Sequence, residues 1–198
     1  MYFAISGPGG IGKTTTLNWL VEYFRQTIDV IALPDYFEPP NLDWPIEEIV
    51  VFLANQKLRR NAVINDYIKQ GFVVFVDRTC LDPLVLAMTL LSEDRWREIE
   101  KWYYNEKFIY GHHILLVAPH SVIRDRRIER GSSHRTTWLK AFNISQEQYE
   151  NFYYQNWLNV HKTLNIPFWE VDFASSDPKI NHEKLLDIIT PLIFIHPK

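Results

Sequence analysis

The chain has 198 residues, 46% of them hydrophobic, which is enough for one hydrophobic core but short for two independent domains. A charged fraction of 23% and a net charge of −3 argue against a disordered acidic chain and against a basic surface that coats a nucleic acid polymer. The only cysteine, Cys80, excludes an internal disulfide and a multi-cysteine zinc site. We therefore expect one domain over residues 1–198, in a reducing, cytoplasmic compartment.

The first residues carry no charged leader, and their apolar run stops at Ser6, so they do not resemble a signal peptide. No later segment approaches the roughly 18 apolar residues that cross a membrane. We expect a soluble, uncleaved protein without a membrane partner.

Short apolar segments rich in branched and aromatic residues predict buried strands over 2–5, 30–33, 72–76, 114–118 and 168–171. Helical spacing predicts helices over 13–27, 45–69, 81–91 and 93–104 (one helix or two), 119–130, 145–163 and 178–190. Strands alternating with helices imply right-handed crossovers and a three-layer α/β/α domain with a five-stranded parallel sheet. Ligands of such sheets bind beyond the carboxyl ends of the strands, so the loops 34–44 and 131–144 are candidates for substrate contact.

A glycine cluster follows the first predicted strand. Residues 7–14 read Gly-Pro-Gly-Gly-Ile-Gly-Lys-Thr and match the phosphate-loop pattern G-x-x-x-x-G-K-[ST]. Such glycines let backbone N–H groups point at phosphate oxygens, and the helix that begins near Lys13 adds its positive dipole end. Lys13 would reach the β and γ phosphates of ATP, while the Thr14 hydroxyl would bind Mg²⁺. The predicted nucleotide-binding residues are Gly7, Gly9, Gly10, Ile11, Gly12, Lys13, Thr14 and Thr15.

Asp77 ends the third predicted strand. P-loop proteins place there the acidic residue that holds magnesium or its water, so we predict Asp77 and Thr14 as the metal ligands. The alternative is that Asp77 only caps the following turn.

Arginines are concentrated after the fourth predicted strand. Arg126 and Arg130 are i,i+4 neighbours on the predicted helix, and their charges repel unless an anion or an acid lies between them. One interpretation is a solvated face paired with Asp125 and Glu129. The other is a lid over about 124–142 whose arginines stabilise charge on the transferring phosphoryl group. The cluster comprises Arg124, Arg126, Arg127, Arg130 and Arg135.

The guanine-selective Asn-Lys-x-Asp element of GTPase switches does not occur in this sequence. Residues 46–90 instead resemble thymidylate kinases, with Phe52-Leu53-Ala54-Asn55-Gln56 on the second helix, then Gly71, then Asp77-Arg78-Thr79. Glu38-Pro39 is similar to the Glu-Pro that thymidylate kinases and deoxynucleoside kinases carry after the second strand. The chain thus resembles the thymidylate kinase-like and deoxynucleoside kinase-like P-loop kinases over nearly its whole length.

The resemblance implies ATP in the P-loop with Mg²⁺, and an acceptor held between loop 34–44, helix 45–69 and Arg78. Phe52, Gln56 and Arg60 share one helical face and could stack on and read a base. The alternative is that Phe52 belongs to the core, with Gln56 and Arg60 solvated. Thymidylate kinases commonly form dimers, so a homodimer is also an expectation.

This chain departs from thymidylate kinases at three places. It has Gly9 in place of an acidic P-loop residue, Phe37 in place of the arginine before Glu-Pro, and Gln56 in place of an arginine on the acceptor helix. The latter two changes remove positive charge from where an acceptor monophosphate would lie, so the acceptor could be a nucleoside or an altered nucleotide, or lid arginines could replace the missing ones on the acceptor phosphate. A nucleoside hydroxyl benefits from a carboxylate base, Glu38 or Asp77, whereas a monophosphate needs only positioning.

The first hypothesis is an ATP-dependent kinase acting on a nucleoside monophosphate or a closely related nucleoside. Glu38 and Arg78 would also contact the acceptor. The alternatives are a deoxynucleoside kinase with Glu38 as base, a kinase of another small metabolite, and a noncatalytic nucleotide-binding regulatory module. The predicted catalytic residues are Lys13, Arg78, Arg126, Arg130 and Glu38.

Overall fold

The computed structural model of the protein describes residues 1–41, 43–106, 108, 111–129, 131 and 144–194. Within these ranges all strand pairs are parallel and form one sheet in the order β2-β3-β1-β4-β5. This confirms the predicted five-stranded parallel sheet. The strands are β1 (Tyr2–Ser6), β2 (Val30–Leu33), β3 (Val73–Asp77), β4 (His112–Val117) and β5 (Phe168–Asp172).

The helices occupy the predicted segments with small shifts at their ends. The segment 81–104 contains two helices, because Leu91 is extended and Ser92 is the N-cap of the next helix. The last helix runs past residue 190 and includes Pro191. The helices are α1 (Lys13–Phe24), α2 (Ile46–Lys69), α3 (Asp82–Leu90), α4 (Glu93–Asn105), α5 (His120–Glu129), α6 (Gln146–Thr163) and α7 (Pro178–Phe194).

Two apolar layers enclose the sheet because side chains alternate between its faces. Phe3 and Ile114 pack with residues of α1 and α7 on one face. Leu115 packs with residues of α2, α3 and α6, including the fully buried Trp157, on the other. None of the described helices is long and apolar enough to span a bilayer.

Strand order brings three loops to one edge of the sheet. β3 lies between β2 and β1, and the register places Ile5 beside Asp77 and Leu33 beside Val76. The segments that follow β1, β2 and β3 therefore leave the sheet side by side, as ligand sites of parallel sheets require.

His112 and His113 belong to β4 rather than to the turn before it. Their rings lie on opposite faces, as expected for adjacent strand residues. Nδ1 of the fully buried His113 lies 2.8 Å from Nε2 of His161 on α6, whereas His112 stacks on Phe3. The described residues include no group of three or more His, Cys, Asp or Glu side chains able to hold a metal ion.

Candidate active site

The P-loop wraps around its own lysine. Gly7 has a φ of 144° and Gly10 a φ of 91°, conformations that residues with a Cβ rarely adopt. A Cβ on Gly7 would also lie 2.7 Å from the carbonyl oxygen of Leu116. Lys13 is buried, and its Nζ donates to the carbonyl oxygens of Gly7 at 2.9 Å and Pro8 at 3.1 Å. The ammonium is therefore held at the loop, where a phosphate chain would pass.

The other predicted P-loop residues are buried, line a cavity or are exposed to solvent. Ile11 is buried among the apolar residues of the α1 face. Gly9 and Gly12 line the cavity described below. Thr15 is exposed on the first turn of α1.

Thr14 and Asp77 lie together at this edge. The Thr14 hydroxyl donates to Asp77 Oδ2 at 3.1 Å. Asp77 Oδ1 is buried and has no hydrogen-bond partner among the described residues. Mg²⁺ in nucleotide enzymes takes one or two protein oxygens, with phosphates and waters completing the octahedron, so the unpartnered oxygen fits a magnesium site.

A cavity of about 590 Å³ opens beside the P-loop, between the ends of β1, β2 and β3. Its charged lining comprises Lys13, Asp35, Asp77 and Arg78. Glu38 is absent from this described lining. Its side chain is 66% exposed and lies 3.9 Å from the equally exposed Arg59, so the structure places the predicted base in solvent.

Two of the described carboxylates, Asp35 and Asp77, line the cavity, and sequence reasoning missed Asp35. Arg78 Nε lies 3.1 Å from Asp35 Oδ2, and Lys57 pairs with Oδ1. Burial acts to raise the pKa of Asp35, but the positive charges of Lys57, Arg78 and Arg60 outweigh it and lower that pKa to about 2. Its position in the sequence could have indicated this role, because Asp35 is the first acidic residue after β2.

Arg78 lies at the cavity wall in a left-handed conformation, with a φ of 67°. Besides Asp35, its Nη1 lies 3.3 Å from Asp82 Oδ1 and donates to the Tyr153 hydroxyl at 3.1 Å. Asp82 is itself fixed, because the Ser6 hydroxyl donates to its Oδ2 at 2.7 Å. Arg78 is thus oriented by the loop after β2, by α3 and by α6 together.

Two of the three residues predicted to read a base are buried. Arg60 is 1% exposed, and its Nη1 donates to the carbonyls of Pro34, Asp35 and Asp77. Its Nη2 donates to the carbonyl of Arg78 at 2.8 Å. The expected direct contact of Arg60 with an acceptor does not match this geometry, because these interior carbonyls already engage both terminal nitrogens.

Gln56 is 2% exposed, and its Oε1 has no hydrogen-bond partner in the described part of the chain. Phe52 is partly buried, with its ring edge-on to Trp44 at 5.5 Å between centroids. Gln56 and Arg60 are therefore not solvated, contrary to the alternative interpretation of this helical face.

Two arginines of α5, Arg126 and Arg127, donate to the P-loop backbone. Arg126 donates to the carbonyls of Ile11 at 3.2 Å and Ser175 at 2.7 Å. Arg127 Nε donates to the carbonyl of Gly9 at 2.7 Å, and its Nη1 lies 2.5 Å from Glu150 Oε1.

The remaining arginines of the cluster differ in setting. Arg124 pairs with Asp125 on an exposed face. Arg130, Arg135 and most of the expected lid lie outside the described residues.

Cys80 is buried, and burial raises the pKa of its thiol to about 12. A thiol with so high a pKa is a poor nucleophile at neutral pH.

No protein-family model matches the chain, and no curated protein matches its sequence. Solved structures do match it. Deoxyadenosine kinase from M. mycoides with bound dATP aligns with a TM-score of 0.66 at 18% identity, covering 96% of this chain and 100% of that chain. The same enzyme with bound dCTP gives a TM-score of 0.64 at 18% identity, covering 96% of this chain and 99% of that chain.

A third structure, described as deoxyadenosine kinase from M. mycoides with the product dCMP and a flexible dCDP, has a TM-score of 0.63 at 18% identity. It covers 97% of this chain and 100% of that chain. At such low identity the likeness concerns the fold. The alignments cover nearly the whole length of both chains, and this chain has the fold of these deoxyadenosine kinase structures.

Proposed function

We propose that the protein is a single-domain, ATP-dependent nucleoside kinase that transfers the γ-phosphoryl group to a nucleoside hydroxyl. The observation that carries this proposal is the position of Asp35, whose carboxylate lines the cavity with Lys13, Asp77 and Arg78. A carboxylate in that position can accept the proton that the acceptor hydroxyl loses during transfer.

The charges of the cavity favour a neutral acceptor over a monophosphate. Its described cations are Lys13, at the P-loop, and Arg78, paired with Asp35 and Asp82. A second phosphate would lie near Asp35 and would compete with it for Arg78. A desolvated phosphate needs charged donors of its own, so the pairing of Arg78 supports a nucleoside.

In the proposed mechanism, Lys13 neutralises the β and γ phosphates of ATP and the P-loop amides cradle them. Thr14 and Asp77 would hold Mg²⁺, which would offset the negative charge that develops on the phosphate oxygens. Asp35 accepts the proton of the attacking hydroxyl, and Arg78 orients Asp35 and the acceptor. This assigns to Asp35 the role first predicted for Glu38.

The described arginines of α5 have a different role in this proposal. Arg126 and Arg127 donate to the P-loop carbonyls of Ile11 and Gly9 and so help to hold the loop in the shape whose amides cradle phosphate. They act on the donor site through its backbone.

Recognition of the acceptor base by Gln56 and Phe52 stays a prediction from the sequence, because neither residue is among those that line the described cavity. The unpartnered Oε1 of Gln56 can accept a hydrogen bond from a base amino group. The ring of Phe52 can supply a stacking surface beside it. The nucleotides bound to the deoxyadenosine kinase structures, dATP, dCTP and dCMP, support a nucleoside as the class of acceptor.

The test is a panel of nucleosides, nucleoside monophosphates and small alcohols, incubated with ATP and Mg²⁺ and analysed by product mass. We expect a nucleoside monophosphate product from at least one deoxynucleoside. A diphosphate formed only from monophosphates would replace the proposal with a monophosphate kinase. Tight ATP binding without turnover of any compound would support the regulatory module. Cytoplasmic location and a homodimer stay predictions from the sequence.

A further inference from the structure

Lys57 is a buried lysine to which the sequence analysis assigned no role. It lies on α2, one residue after Gln56, and its side chain is 1% exposed. A lysine is almost never fully buried unless its ammonium is paired. The partner here is Asp35, to which Lys57 is bound in two ways. Its Nζ donates to the Asp35 carbonyl at 2.8 Å and forms an ion pair with Oδ1.

The polar atoms of Asp35 are divided among three cations. Lys57 contacts Oδ1, Arg78 contacts Oδ2, and both Lys57 and Arg60 donate to the carbonyl oxygen. Asp35 retains 24% side-chain exposure toward the cavity. The loop residue is therefore fixed from the interior in both backbone and side chain, while one side of its carboxylate faces the cavity.

We propose that Lys57 is a positioning residue for phosphoryl transfer, which holds the Asp35 carboxylate at the distance and angle that the acceptor hydroxyl requires. This inference rests on the proposed function, because it gives Asp35 a hydroxyl to act on. Lys57 is not among the residues that line the cavity, so it acts through Asp35. A displacement of about 1 Å at a reacting group can cost on the order of 10²-fold in rate, so the rigid anchor has a kinetic consequence.

The charges around Lys57 make its role dependent on pH. The groups that face it are Arg60 on its own helix, Asp35 after β2, Asp82 on α3 and Cys80 before α3. Burial and the charge of Arg60 lower the pKa of Lys57 to about 8, against the opposing effect of Asp35 and Asp82. Lys57 therefore releases its proton in mildly alkaline solution, and the ion pair to Oδ1 is then lost.

The first experiment compares the pH dependence of kcat in the wild type, Lys57→Met and Lys57→Arg. We expect the wild-type kcat to fall above about pH 8. Lys57→Met should show a kcat lower by on the order of 10²-fold at pH 7, without that alkaline limb and with an unchanged Kd for ATP. Lys57→Arg keeps its charge at higher pH and should move the limb upward. The matched control is Lys69→Met, on the same helix but exposed, which should behave as the wild type.

A Lys57→Met protein with wild-type kcat and a wild-type alkaline limb would overturn the inference. Loss of ATP binding together with activity would also overturn it, because that result indicates a general structural role. An inactive wild type would overturn the proposed function before any variant is compared, so the two failures are distinguishable.

The second experiment does not depend on turnover. The carboxyl carbon of Asp35 is titrated by ¹³C NMR in the wild type and in Lys57→Met, after assignment with Asp35→Asn. We expect a pKa of about 2 in the wild type and a higher one in Lys57→Met. An unchanged Asp35 titration in folded Lys57→Met contradicts the pairing on which the inference depends.

Discussion

The hydroxyl of Thr14 donates a 3.1 Å hydrogen bond to the carboxylate of Asp77 and so joins the start of α1 to the end of β3. Asp77→Asn keeps the shape of this side chain but removes the charge that favours Mg²⁺. We expect kcat to fall by at least about 10²-fold, with more Mg²⁺ needed for half-maximal rate. Initial rates at increasing Mg²⁺ measure both effects. A variant with the Mg²⁺ dependence of the wild type would contradict the metal assignment.

Lys13→Ala should abolish phosphoryl transfer while the fold persists. The lysine contributes hydrogen bonds to two P-loop carbonyls, and their loss is expected to cost only about 1 kcal/mol each. Turnover and thermal unfolding of the same preparation measure the two effects separately. Full activity in Lys13→Ala would show that the donor phosphates bind elsewhere.

Asp35→Asn and Glu38→Gln distinguish the two candidate bases. Asp35 lines the cavity, whereas Glu38 lies in solvent beside Arg59. We expect Asp35→Asn to lower kcat by about 10² to 10⁴-fold, as loss of a general base does, and Glu38→Gln to retain nearly full activity. Steady-state rates with the preferred nucleoside decide between them. The reverse order of effects would restore Glu38 as the base.

Arg60→Met should act mainly by lowering the free energy of unfolding. The substitution leaves buried carbonyls of Pro34, Asp35, Asp77 and Arg78 without this donor. A buried polar group without a partner costs about 1–3 kcal/mol, so we expect a loss of at least about 3 kcal/mol in the free energy of unfolding. Urea denaturation measures it, with the exposed Arg59→Met as control. Equal stability of the two variants would be the contrary result.

The His113–His161 pair should make stability depend on pH. Burial lowers the pKa of His161 to about 4, and burial with the charges of His161, His112 and Arg60 places that of His113 well below its ordinary value. Both rings are therefore neutral in the folded state, whereas the unfolded chain takes up protons below about pH 6.5. The contribution of this pair to stability should be constant above that pH and fall as the pH drops from about 6.5 toward 4.

Thermal unfolding between pH 7.5 and 5 measures this dependence. His161→Phe removes one of the two titrating groups and should make the decline shallower. An unfolding temperature that stays constant over the whole range would contradict the buried, neutral pair.

Much of the fold follows from apolar patterning, since strands buried on both faces are continuous apolar runs and the helices between them carry apolar faces. The pairing of Thr14 with Asp77 also follows, because the P-loop begins at the end of β1 and β3 is its neighbour. The strand order itself did not follow, because it depends on contacts between segments far apart in the chain.

The proton acceptor of the proposed reaction was harder to predict, because the resemblance to known kinases rests on Glu38-Pro39 and not on Asp35. β2 ends at Leu33, so Asp35 lies close to the sheet edge and lines the cavity. Glu38 lies further along the loop, with its side chain in solvent. The polar face of α2 posed a related problem. Spacing showed that Gln56 and Arg60 share a face, but their burial depends on α3 and on the ends of β2 and β3, which periodicity does not describe.

Arg60 joins Pro34, the residue after β2, to Asp77, the last residue of β3, through a single planar group. A guanidinium is planar and rigid. It therefore holds the proposed proton acceptor Asp35 and the proposed metal ligand Asp77 at a fixed distance from each other. That spacing is determined by a side chain anchored on a long helix rather than by the solvent-facing loop after Asp35. The outer part of the loop can therefore change in sequence, and with it the choice of acceptor, while the distance between the two carboxylates is kept.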